Sequence, residues 1–90
     1  MKCYVYSIKD QKTGFLNPTF EISDAVAKRN FEHAIAAAPE SLFTSHPEDY
    51  ALYCIGAFDT DTGELTSLSQ PGLILEARSV MNMRGDRDAR

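Results

Sequence analysis

Tyr50-Ala51-Leu52-Tyr53-Cys54-Ile55-Gly56-Ala57-Phe58 runs nine positions without a charged side chain. A strand with one solvated face alternates apolar and polar residues, so an unbroken apolar run predicts a strand buried on both faces and central in its sheet. Strict alternation sends Leu52, Cys54 and Phe58 one way and Tyr53, Ile55 and Ala57 the other. A central strand needs neighbours, and the flanking sequence supplies them. Asp59-Thr60-Asp61-Thr62-Gly63 is hairpin-loop chemistry: Asp bonds its own backbone and Gly takes positive φ. It leads into a shorter strand over residues 64–69, which Gln70-Pro71-Gly72 breaks.

Near the start, residues 2–9 alternate Tyr4, Tyr6 and Ile8 against Cys3, Val5 and Ser7, which predicts a second inner strand. Asp10-Gln11-Lys12-Thr13-Gly14 is another loop of the same type, and the chain turns back through residues 15–22. Pro18 cannot donate to a ladder, so that strand is short or lies at an edge, with Phe20 and Ile22 on one face. Ser23 or Asp24 caps a helix over residues 24–38 that Pro39 ends. Its apolar stripe is Ala27, Phe31, Ala34, Ile35 and Ala38, and Lys28, Arg29 and Glu32 lie off it. Residues 73–83 fit either an edge strand or a short helix.

These elements predict an α+β fold: a two-layer, four-stranded antiparallel sheet in ββαββ order with one helix on one face. At 90 residues there is room for one core, read as a single domain over residues 1–76. Residues 77–90 form a C-terminal extension with a charged, disordered tail. One helix covers one sheet face, so the other needs residues 73–83 or a second subunit. A homodimer is expected, with Leu52, Tyr53, Ile55 and Phe58 as its interface residues.

Nine Lys and Arg against thirteen Asp and Glu give a net charge of −4, which excludes the strongly basic class that coats duplex DNA by phosphate neutralisation. No apolar run approaches the roughly 20 residues that span a bilayer, and the start lacks a signal peptide's apolar region, so a cytoplasmic protein is expected. Cys3, His33, His46 and Cys54 lack the close pairing of zinc ligands, and Asp59-x-Asp61-x-Gly63 fails the calcium-loop pattern at two later positions. No metal and no cofactor is therefore expected. Cys54 with His46 and Asp49 is the one nucleophile set to consider, but Cys54 sits in an apolar run where thiols are inert, so the chain is read as no enzyme.

For nucleic acid the physical candidates are Tyr4 and Tyr6 on one strand face, as stacking platforms for single-stranded bases, with Lys2, Lys9, Lys12, Lys28 and Arg29 as cations. Residues 31–75 carry seven acidic side chains and no Lys or Arg, so any DNA should keep to the other end. The alternative is that these tyrosines are core and the lysines a solvated rim.

Several segments resemble a known family. They are Met1-Lys2-x-Tyr4-Val5-Tyr6-Ser7-Ile8-x-Asp10, Pro18-x-Phe20, Ala27-x-Arg29-x-Phe31, and the stretch from His46-Pro47-Glu48-Asp49-Tyr50 to Phe58-Asp59-x-x-Thr62-Gly63. Over about residues 1–76 they resemble the small nonstructural protein of gokushovirus-type microviruses, which are single-stranded DNA bacteriophages. The resemblance implies a non-capsid protein acting in the cytoplasm of the infected bacterium, with a part in DNA binding during genome replication or packaging. It carries no catalytic motif over. Two function classes follow: a weak single-stranded DNA binder, or a dimeric scaffolding or regulatory protein that contacts a phage or host protein through an apolar sheet face.

Overall fold

The computed structural model describes residues 1–38 and 40–88; Pro39, expected to end the helix, and the last two residues of the expected tail lie outside that range. The chain forms strand β1 (Lys2–Asp10), the short strands β2 (Gly14–Phe15) and β3 (Thr19–Glu21), and helix α1 (Asp24–Ala37). A single helical turn α2 (Leu42–Ser45) and a 3₁₀ turn (Pro47–Asp49) lead into strand β4 (Tyr50–Asp59), strand β5 (Leu65–Glu76) and helix α3 (Ala77–Asp88). All strand pairings are antiparallel. β1 and β4 are neighbours in the middle, β5 flanks β4, and β2 and β3 pair in succession along the other side of β1. The edge strand expected over 15–22 is thus two pieces, separated by the stretch that contains Pro18.

Both hairpins use the predicted loop chemistry in the same way. The Asp10 carboxylate accepts from the Lys12 amide at 2.8 Å and the Asp59 carboxylate from the Asp61 amide at 2.9 Å. Gly14 and Gly63 then take φ of 104° and 79°, which a side chain would resist. Helix α1 is capped by Ser23, whose hydroxyl accepts from the Val26 amide at 3.3 Å.

The core joins Tyr6, Leu52 and Tyr50 from the sheet to Ala27, Phe31 and Ile35 of α1 and to Ala77 and Val80 of α3. Of the expected helix stripe, Ala27, Phe31 and Ile35 are buried, while Ala34 faces solvent. Phe43 of α2 caps the cluster edge-on to Tyr50, ring centroids 4.9 Å apart, and lies 6.2 Å from Phe31.

Three expectations need correction. Gln70-Pro71-Gly72 does not end the last strand; β5 continues to Glu76. Between Ser67, opposite Gly56, and Gly72, opposite Cys54, four residues of β5 stand against one of β4. The intervening residues, Leu68 to Pro71, therefore arch out, and Pro71 is tolerated because β5 is an edge strand. Second, the order is not a bare ββαββ: α2 and α3 are added. Ala77, Val80 and Met81, at helical spacing, bring the start of α3 into or against the core, where the sequence reading placed an extension beyond residue 76.

The third correction concerns faces. β1 and β4 pair residue for residue until Val5 meets Gly56 and Tyr6 meets Cys54, leaving Ile55 as a bulge. A bulge residue resets the alternation of its strand. Leu52, Cys54 and Ala57 consequently share the face of Tyr6 and Ile8, toward the helices. Tyr53, Ile55 and Phe58 share the face of Val5 and Cys3.

Candidate functional site: the open face of the sheet

Register places Cys3, Val5, Ser7 and Lys9 of β1 on the face away from the core, with Phe15 opposite Lys9, Phe20 opposite Val5, Phe58 opposite Cys3 and Leu65 opposite Phe58. None of the described helices seals this face: Cys3 and Val5 are buried there, yet neither belongs to the core cluster that the helices close. Their cover is aromatic. Phe20 and Phe58 meet edge-on at 5.5 Å, and Phe15 and Tyr53 at 5.7 Å. Between β3 and β5 the face sinks into a furrow of about 360 Å³ lined by Val5, Pro18, Phe20, Ile55, Gly56 and Leu65. Gly56 forms part of its floor because nothing larger fits: a Cβ there would stand 2.5 Å from the Thr66 carbonyl oxygen.

The two ends of the face differ in charge. At one end the Lys9 ammonium lies 5.6 Å from the centre of the Phe15 ring, a cation–π arrangement, with Lys12 in the adjoining turn. Glu76, opposite Ala51 at this end, is paired with Arg78 at 3.6 Å. The other end carries the Asp59 turn. The N-terminal ammonium binds Asp61 at 2.6 Å and Asp59 at 3.9 Å, and Thr60 donates through both its amide and its hydroxyl to the Met1 carbonyl. Backbone amides of the turn hold the Asp59 carboxyl below its ordinary pKa, and the N-terminal ammonium adds to the effect.

The residues anticipated for DNA do not form one surface. Tyr6 is 0% exposed, its ring in the core and its hydroxyl donating to Asp24 at 2.5 Å, so it has no face to offer a base. Burial first, then the Asp24 carboxylate, pushes its phenol well above the ordinary tyrosine range. Tyr4 is exposed, but in a groove on the helix side beside Asp24, Cys54 and Leu68. Lys2 lies opposite Asp59 at the far end of β1 from Lys9, and Lys28 and Arg29 project from α1 on the helix side. Only Lys9 and Lys12 flank the open face.

Of the expected interface residues, Tyr53, Ile55 and Phe58 do share that face, but Leu52 is buried under the helices and is withdrawn. Sequence reasoning missed Phe15, Phe20, Leu65 and Leu73, all large and exposed. The signal that separates Leu52 from Phe58 is Gly56 inside an apolar run, a mark of bulges and close backbone approach; Phe15, Phe20, Leu65 and Leu73 join the face through cross-strand pairing.

Among the described residues no cluster of three or more His, Cys, Asp and Glu is placed to hold a metal ion, and no helix is long and apolar enough to cross a membrane. Both cysteines are free thiols. The molecule is a small α+β domain whose distinguishing feature is an apolar, aromatic sheet face outside its own core. It belongs to the Phage ORF5 protein family, whose model matches residues 3–80, and is thus a phage protein. No curated protein and no solved structure matches the chain.

Proposed function

We propose that this chain is a non-enzymatic accessory protein of a gokushovirus-type microvirus, working in the cytoplasm of the infected bacterium by applying its open sheet face to a protein. Its role is scaffolding or regulatory. The observation that supports this reading is the furrow between Phe20 and Leu65 on a face that no described helix covers. Contiguous exposed apolar surface on a small chain marks a contact site, and this face has few charges to hold a polyanion. The test is complementation: a phage with this gene disrupted is grown on cells supplying the protein from a plasmid. Phe20→Glu with Leu65→Glu should fail to restore particle yield, while Lys28→Glu with Arg29→Glu should restore it. The reverse pattern overturns the reading.

One observation favours a second reading, weak binding of single-stranded DNA during genome replication or packaging. Lys9 above Phe15, with Tyr53 alongside, is a small stacking platform with its own cation. Fluorescence anisotropy with a single-stranded oligonucleotide would then show binding that Phe15→Ala abolishes. With two lysines contacting phosphates, the log–log salt slope would be shallow, about −1 to −2.

A further inference from the structure

The open face carries a projection and a recess of matching kind. Phe15, 45% exposed, stands at the level of Lys9, whereas the furrow is centred where Val5 faces Gly56. Along β1 these levels are four residues apart, about 13 Å. Midway between them Ser7 faces Tyr53.

We infer that a second copy of this chain docks on the open face, about a two-fold axis crossing the strands at the level of Ser7 and Tyr53. Phe15 of each copy then meets Phe20 on the furrow rim of the other, because both lie on the same side of β1, opposite Lys9 and Val5. Such a pairing is isologous: one surface supplies both the projection and the recess, and the assembly closes at two. The inference rests on the protein-contact reading and names the partner.

The area fits. Phe15, Phe20, Leu65 and Leu73 are 45%, 50%, 65% and 55% exposed. With each large apolar side chain worth about 150–200 Å², these four offer on the order of 400 Å². The half-buried Tyr53, Ile55 and Phe58 and the furrow rim bring the face to roughly 700 Å², near the ~800 Å² per partner of a stable interface.

Sedimentation equilibrium of the full chain at micromolar concentrations tests this. The wild type should sediment at twice the 10.0 kDa chain mass. Phe15→Asp and Phe20→Lys should each sediment as single chains. Mixed in equal amounts, they should recover the doubled mass, because the carboxylate at 15 of one copy meets the ammonium at 20 of the other while the second contact stays native. Both positions are exposed, and a far-UV melt confirms that each variant is folded; if Phe15→Asp is not, Phe20→Lys alone must still halve the mass. A single-chain mass for the wild type, or for the mixture, overturns the inference. If the wild type is single and the Phe20/Leu65 variant still fails to complement, the protein-contact reading survives with a different partner. If that variant complements, both fall.

Discussion

On the helix side of the sheet, Tyr6 and Ile35 are completely enclosed and Phe31 and Leu52 nearly so; on the other side Phe20 and Leu65 are left half in water or more. The residue types are alike, and the same two strands, β1 and β4, supply the floor of both faces. What differs is the cover. α1 and α3 close one face, whereas among the described residues the other is roofed by its own rings, which meet edge-on in pairs. Apolar surface that folding leaves in water contributes little to the domain's stability and is available for association.

The comparison predicts a steep gradient of mutational effects. Ile35→Ala empties a fully enclosed site and should cost about 3–4 kcal/mol, read from urea denaturation. A loss under about 1 kcal/mol would show that α1 does not seal the core. Gly56→Ala comes next, because the added carbon meets the backbone oxygen of Thr66 at 2.5 Å rather than a movable side chain. β4 and β5 must separate locally, at about 2 kcal/mol; an unchanged denaturation midpoint would contradict the close approach of the two strands.

Tyr6→Phe removes the hydroxyl bond to Asp24 and should cost about 1 kcal/mol. The same residue sets an alkaline limit. Its folded pKa is raised, first by burial and then by Asp24, so above about pH 10 the unfolded chain releases a proton that the folded one keeps. The folded state binds more protons there, so stability falls as pH rises through that window. Tyr6→Phe should flatten this decline in a series of melts; an identical decline in the variant would assign it elsewhere. At the small end, Leu65→Ser on the open face should leave stability within about 0.5 kcal/mol when both proteins are melted at a dilution that keeps the chain single. A large loss would mean that the open face belongs to the folding core of the single chain.

Much of the architecture is legible in local chemistry. The uncharged run from Tyr50 to Phe58 marks an inner strand, Asp and Gly fix both hairpins, and Ala27, Phe31 and Ile35 give the buried stripe of α1. The faces were not legible, because alternation holds only while the register does. One bulge at Ile55 moves Phe58 from the side of Leu52 to that of Tyr53, and the sequence signals it only through Gly56. Gln70-Pro71-Gly72 misleads for a related reason: a Pro-Gly pair ends a paired strand, but on an edge it can arch out and let the strand resume. The candidate site was half visible. Tyr53, Ile55 and Phe58 could be named from the apolar run, whereas Phe15, Phe20 and Leu65 join them only through cross-strand pairing. Tyr6 shares a strand face with Tyr4, but which face the helices cover is a tertiary fact.

The contrast between a face used for folding and a face proposed for association is tested most directly by the concentration dependence of thermal unfolding. An interface between copies links stability to concentration by mass action, so the wild-type Tm should rise by a few degrees for each tenfold increase in protein. Phe15→Asp should melt at one temperature at every concentration. A wild-type Tm that is independent of concentration, or a variant that shows the same rise, would contradict the account.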